Sequence, residues 1–191
     1  MLNIVLFGPP GAGKGTQADK LKERYSLNHL STGEVIRQEI KAATKLGLEA
    51  QEQMKDGSLA SDEIVIGIIS SYIEAHSDGN GTIFDGFPRT TPQAEAFDDM
   101  LSQHGQSVTA MIALDVPDEE VVARLLARGK VSGRADDQSE EVIRHRIEVY
   151  KAQTEVVKKF YEKQGKYIEI DGMGGIEAVF GRLCEVIDRI R

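Results

Sequence analysis

Residues 8–16, GPPGAGKGT, carry the clearest chemistry in this 191-residue chain. They follow an apolar run at 2–7 and precede an amphipathic segment at 16–24. Gly8, Gly11 and Gly13 let the backbone turn with positive φ and bring its N–H groups close to phosphate oxygens. A helix starting behind them offers unpaired N–H donors and the positive end of its dipole. Lys14 adds a cation able to reach a β- or γ-phosphate. The common form of such a loop places Ser or Thr directly after the lysine, where the hydroxyl holds Mg²⁺. Here Gly15 follows Lys14, and the hydroxyl arrives one residue late, on Thr16.

A second group of candidates is cationic. Arg124 and Arg128, four apart in DEEVVARLLARG, share one helix face, while Val121, Val122, Leu125 and Leu126 make the buried stripe. Arg134 sits in the polar stretch SGRADD and Arg146 in SEEVIRHRIEVY, a helix expected to be capped by Asp137 or Ser139. Arg89 ends DGFPR and Arg37 lies in STGEVIRQ. Guanidinium groups bind phosphate bidentately, and several can share the charge of a group in transfer. Asp85, at the end of the run TIF, could orient Mg²⁺ or its waters; it could equally make a simple Asp-Gly turn. Ser31-Thr32-Gly33-Glu34 fits a capping box with Ser31 as cap, which would leave the Thr32 hydroxyl free.

These residues need a scaffold, and the chain alternates strand-like and helical patterns throughout. Strands are expected at 2–7, 28–30, 82–84, 108–116 and 167–170. Helices are expected at 14–24, 33–43, 47–55, 62–76, 91–103, 118–127, 138–164 and 175–190. Such alternation implies an α/β fold with a doubly wound, five-stranded parallel sheet flanked by helices. Residues 31–60 and 127–137 fall outside the sheet pattern and read as small inserts at strand ends, where ligands bind in such folds. The net charge of −8 argues against nucleic acid, and no apolar run is long enough to cross a membrane. The opening LNIVLF lacks a basic leader and so does not resemble a secretory signal. One cysteine, Cys184, excludes internal disulfides and multi-cysteine zinc sites. A cytoplasmic monomer is expected, with Cys184, Ile64, Val65, Ile68, Ile69 and Tyr72 as packing residues.

The motifs GPPGAGKGTQ, STGE with Arg37, DGFPRT with Gln93, RLLARG, SGRADD and RIEVY together resemble the adenylate kinases of the nucleoside monophosphate kinase family, from Met1 to about Gly174. The resemblance implies a P-loop kinase core with a monophosphate-binding insert at 31–60 and a short lid at 127–137. It implies that Gly11, Ala12, Gly13, Lys14, Gly15 and Thr16 cradle the ATP phosphates, with Arg128 near the adenine and Gly174 touching ATP through its backbone. It implies that Thr32, Arg37, Ser58, Leu59, Ala60, Gly86, Phe87, Pro88, Arg89 and Gln93 hold AMP. Arg124, Arg128, Arg134 and Arg146 would clamp the transferring group, and Asp85 would organise Mg²⁺ through water with no direct protein ligand. Relatives acting on UMP and CMP read SAG and PRN where this chain has STG and PRT, so Thr32 and Gln93 favour AMP.

The expected reaction is ATP + AMP ⇌ 2 ADP by in-line attack on the γ-phosphorus. It needs no general base, because the attacking oxygen is already anionic; the four histidines, 29, 76, 104 and 145, lie outside every motif. A loop hydroxyl beside the lysine is dispensable if Mg²⁺ arrives on the substrate phosphates. Three other readings compete. The same chemistry on UMP or CMP is the nearest. A nucleotide-dependent switch would want a guanine-specifying NKxD stretch, which is absent. A kinase for a non-nucleotide acceptor would leave Thr32 and Gln93 without a purpose.

Overall fold

The computed structural model describes residues 1–55, 58–76 and 79–191. Residues 56 and 57 of the insert expected at 31–60 lie outside the described residues. Five strands, β1 (Ile4–Phe7), β2 (Asn28–Ser31), β3 (Thr82–Asp85), β4 (Ala110–Asp115) and β5 (Tyr167–Asp171), form one parallel sheet in the order β2-β3-β1-β4-β5. The chain leaves β1 towards β2 on one side and later adds β4 on the other. The C-terminal end of β1 is therefore the topological switch point, where such sheets open a crevice.

Alternation along the central strands builds two cores. Ile4 and Leu6 of β1 and Ala110, Ile112 and Leu114 of β4 face one side of the sheet. There they meet α1 (Lys14–Tyr25), α6 (Asp118–Ser132), α7 (Glu140–Val149) and α9 (Ile176–Ile190). Val5, Phe7, Met111 and Ala113 face the other. They meet α2 (Thr32–Lys41), α3 (Lys45–Gln53), α4 (Asp62–Ala75), α5 (Thr91–Gln103) and α8 (Val156–Glu162). The buried apolar side chains on both faces supply the main favourable term in folding. Cys184 is buried on α9, and Val65 and Ile69 are buried on α4 with Ile64, Ile68 and Tyr72 packed beside them. Among the described residues no helix is long and apolar enough to cross a membrane.

Three local expectations are corrected. The helix expected to end at 127 continues to Ser132 and stops at Gly133, whose φ of 65° makes a left-handed cap. Its last turn projects from the core, leaving Val131 90% exposed, so no apolar stripe marks it as helical. The polar segment behind it is a short 3₁₀ turn, Ala135–Asp137. The single helix expected over 138–164 is broken by a π-helical turn at Tyr150–Thr154. Ile143 and Ile147 before the turn pack in the first core, Val157 and Tyr161 after it in the second. A change of buried face is what an extra residue in a helical turn produces. Ser31 precedes α2 as expected but makes no side-chain cap hydrogen bond, so the capping box does not form.

Candidate active site

The glycine loop sits at the switch point. Gly8, Gly11 and Gly13 all have positive φ, and a Cβ on Gly8 would lie 2.7 Å from the Leu114 carbonyl oxygen. Gly13 caps α1 in the left-handed region, with no side-chain cap and no acidic residue in the first turn. The helix start is thus open to an anion. Lys14 Nζ folds back to donate to the carbonyls of Gly8 (2.8 Å) and Pro9 (2.9 Å). Burial lowers its pKa to about 8; Asp85 opposes that shift, while Arg89, Arg146 and Arg128 add to it.

In front of the loop lies a cleft of about 470 Å³. Its wall carries seven cationic side chains, Lys14, Arg37, Arg89, Arg124, Arg128, Arg134 and Arg146, against three carboxylates, Asp19, Glu34 and Asp85. This local excess of positive charge stands within a chain of net charge −8, as binding a small polyanion requires. The cations come from many elements: Arg37 from α2, Arg124 and Arg128 from α6, Arg146 from α7, and Arg89 and Arg134 from loops. Arg37 and Arg134, from the two segments outside the sheet pattern, are close enough that the charge of Arg134 adds to burial in lowering the Arg37 pKa. Arg89 is lowered by burial, with further contributions from Arg146 and Arg37 against the opposing pull of Asp85.

Several cations are held in place by protein acceptors. Arg89 Nε donates to Gly86 O at 2.8 Å, and Arg124 donates to Glu120 at 2.8 Å and to Gly172 O at 3.3 Å. Arg128 makes a two-pronged contact with Asp137, Nε to Oδ2 at 2.6 Å and Nη2 to Oδ1 at 2.9 Å. Arg146 Nη1 donates to the same Oδ1 at 2.8 Å. Asp137 has no exposed side-chain surface. Burial alone would push its carboxyl up; the hydrogen bonds and charges of Arg128 and Arg146 outweigh that and hold it below the usual range. Asp137 therefore ties two cleft arginines together and does not cap α7; Ser139 does, accepting from Val142 N at 3.5 Å. Asp137 lies nine residues from Arg128 and nine from Arg146. An acid midway between two arginines in a polar stretch was the signal available in the sequence.

Other candidates distribute as follows. Gly11, Gly13, Gly15, Thr16, Leu59, Asp85, Gly86, Phe87 and Pro88 line the cleft. Ala12, Thr32 and Gln93 are buried and do not line it. The Thr32 hydroxyl is not free, since it donates to Gly86 O at 3.0 Å. Gln93 Oε1 accepts from Arg89 N at 2.8 Å. Ser58 and Ala60 flank Leu59 without reaching the cleft wall. Gly174, with φ of 98°, sits in the loop before α9, which Arg182 ties down through Met173 O at 2.7 Å. The side chain a residue at position 15 would carry points to Asp85, with Oδ2 3.6 Å from its Cβ. Tyr150, Thr154 and Val149 also line the cleft, and Tyr150 packs on Phe7 with ring centroids 5.6 Å apart. Tyr150 and Thr154 reach it through the π turn, which has no plain sequence signature, and Val149 through the end of α7.

A five-stranded parallel sheet, an uncapped helix behind a glycine loop and a ring of cations define a P-loop protein of the α/β class whose cleft is made for phosphate groups. The model of the family described as adenylate kinase matches residues 6–166. Full-length relatives called adenylate kinase are 49% identical over 190 residues in Bacteroides fragilis, covering 100% of both chains. In Flavobacterium johnsoniae the figure is 50% over 190 residues, again covering 100% of both. In Porphyromonas gingivalis it is 44% over 191 residues, covering 100% of this chain and 98% of the relative. The chain belongs to the adenylate kinase family and is a nucleotide-binding kinase, an enzyme of the transferase class.

Proposed function

We propose that the enzyme transfers the terminal phosphoryl group of ATP to AMP, reversibly, giving two ADP by direct in-line displacement. The observation that carries this reading is the single cleft into which the loop lysine and arginines from both small segments, 31–60 and 127–137, all converge. One polyphosphate on the glycine loop would use Lys14 and the α1 start. A second, monophosphate ligand would use Arg37 and Arg89, and Arg124, Arg128, Arg134 and Arg146 would meet the group passing between them. The attacking oxygen is already anionic, so the residues act by positioning and by stabilising charge, with no base or covalent intermediate.

Mg²⁺ fits this donor set: Asp85 lies beside the loop with only the side-chain-free Gly15 between, which leaves room for a cation held on ATP phosphates and reached through water. The metal would neutralise charge on the transferring group. Glycine at position 15 is then a family trait, not a damaged loop. The preference for adenine as the acceptor base rests on the family resemblance at Thr32 and Gln93, and the two small segments would close over both substrates, since water is the rival acceptor.

The test is transfer from ATP to AMP, UMP, CMP and GMP, each with and without Mg²⁺. AMP should lead and the metal should be required. Preference for a pyrimidine monophosphate, or release of phosphate without transfer, refutes the proposal.

A further inference from the structure

Two cavities meet at one pair of aromatic rings. The cleft of about 470 Å³ and a second cavity of about 240 Å³ share, among the described residues, only Phe7 and Tyr150. Phe7 is buried at the end of β1, directly before the glycine loop. Tyr150 opens the π turn, where its carbonyl accepts from Glu155 N at 2.8 Å, and its ring packs on Phe7 with centroids 5.6 Å apart. Asp115, Lys151, Glu155 and Glu169 line the second cavity and are exposed, so bulk water reaches it. Its volume is many times what one water needs. The phenol end of Tyr150 faces that side. Burial first, then Glu155, Tyr167, Glu169 and Asp115, push its pKa up, and all four groups line the second cavity.

We infer that the Phe7–Tyr150 pair is a water barrier at the back of the cleft, and that Tyr150 sets how often the phosphoryl group goes to water instead of the acceptor. The inference rests on the transfer proposed above. In hydrolysis a water oxygen bonds to the γ-phosphorus while the bond to the oxygen bridging the β- and γ-phosphates breaks. ADP and inorganic phosphate leave, and the surplus proton of the water passes to solvent. The small segments would cover the mouth of the cleft. They do not reach its back, since no described residue of 31–60 or 127–137 lines the second cavity. Water entering there would arrive at the phosphate end. Pro9 lines the second cavity, and its carbonyl and that of Gly8 hold Lys14 Nζ. Shutting that route falls to side chains that are always in place, and an apolar ring does so by filling the space.

The experiment measures initial rates of phosphate release and of ADP formation together, with ATP, AMP and Mg²⁺, in wild type, Tyr150→Phe, Tyr150→Leu and Tyr150→Ala. The readout is phosphate released per phosphoryl group transferred. Tyr150→Ala opens one cavity into the other, and the ratio should rise about tenfold or more. Tyr150→Phe keeps the ring and should keep the ratio. Tyr150→Leu fills part of the gap and should raise the ratio about threefold. It exchanges one large packing side chain for another, so it decides the matter if Tyr150→Ala does not fold. An unchanged ratio in folded Tyr150→Ala, or in Tyr150→Leu where only that folds, overturns the barrier. An equal fall in both rates does the same, since it marks a merely structural role, as does a rise in Tyr150→Phe as large as in Tyr150→Ala. Wild type that prefers another monophosphate overturns the AMP reading alone, and the ratio taken with that acceptor then tests the barrier in the same way.

Discussion

Replacing Asp137 by Asn tests whether a buried carboxylate holds two of the cleft arginines. Asp137 accepts three short hydrogen bonds, at 2.6 and 2.9 Å from Arg128 and at 2.8 Å from Arg146. Asn has one acceptor oxygen, so at least one guanidinium N–H would face an amide N–H. Breaking a fully buried ion pair costs about 3–5 kcal/mol. Here the Arg128 side chain is 36% exposed and that of Arg146 18%; both can recover hydration, which brings the expected loss down to about 2–3 kcal/mol. For a chain of this size that is a fall of roughly 5–10 °C in Tm. The pH dependence carries the sign of the mechanism. The folded-state pKa of Asp137 is depressed, so its stabilisation is present above the unfolded value and is lost as pH falls through the folded one. Urea unfolding should therefore show the full gap between wild type and Asp137→Asn at neutral pH, closing below about pH 4. Turnover should fall about tenfold or more as Arg128 and Arg146 lose their fixed places. A variant as stable as wild type at pH 7, or a gap that does not close in acid, refutes the reasoning.

Lys14→Met should lower kcat/KM about a thousandfold, some 4 kcal/mol, while circular dichroism shows a folded protein; near-normal phosphoryl transfer by that protein would sink the site assignment. Because burial brings the Lys14 pKa down to about 8, kcat/KM for ATP should fall above pH 8 as the free enzyme loses that charge. Stability should not fall with it, since in that window the unfolded chain binds the extra proton; a flat profile to pH 10 refutes the assignment. Gly129→Ala would bring a Cβ to 2.4 Å from the Asp137 carbonyl oxygen, so a loss of about 1–3 kcal/mol is expected by thermal melt, with turnover reduced as the Arg128–Asp137 contact shifts.

Why some of this was legible in the sequence and some was not follows from particular residues. The strands could be read because both faces of a parallel sheet are buried, so Ile4–Phe7 and Ala110–Asp115 appear as apolar runs. The glycine loop could be read because its backbone needs positive φ at fixed positions. The last turn of α6 could not, since a helix that leaves the core carries no periodic stripe. The π turn at Tyr150–Thr154 could not, because two buried faces in succession look like one long amphipathic pattern. Thr32, Asp62 and Asp137 were misjudged or missed for a common reason. Local reasoning at a helix start read Asp137 as a possible cap, left the Thr32 hydroxyl free and passed over Asp62, whereas each bonds a partner distant in sequence: Gly86 O for Thr32, Gln93 for Asp62, Arg128 and Arg146 for Asp137.

Those distant partners bear on how the cleft could work. Holding seven cations around one space costs free energy in two ways: long side chains lose about 2 kcal/mol each of rotamer entropy when fixed, and like charges repel in a partly dry site. The fold meets the first cost with acceptors of its own: Gly8 O and Pro9 O for Lys14, Gly86 O for Arg89, Glu120 for Arg124, and Asp137 for Arg128 and Arg146. The second remains as the smaller part of the lowered pKa values of Lys14, Arg37 and Arg89, which burial lowers first and to which other cations of the cleft add. An occupant relieves that repulsion in proportion to the negative charge it brings. On the proposed reaction, the two substrates together with the phosphoryl group between them carry more charge into the cleft than either alone. Neutralising these cations would then favour the state with both substrates bound, the one in which transfer to AMP would outrun transfer to water.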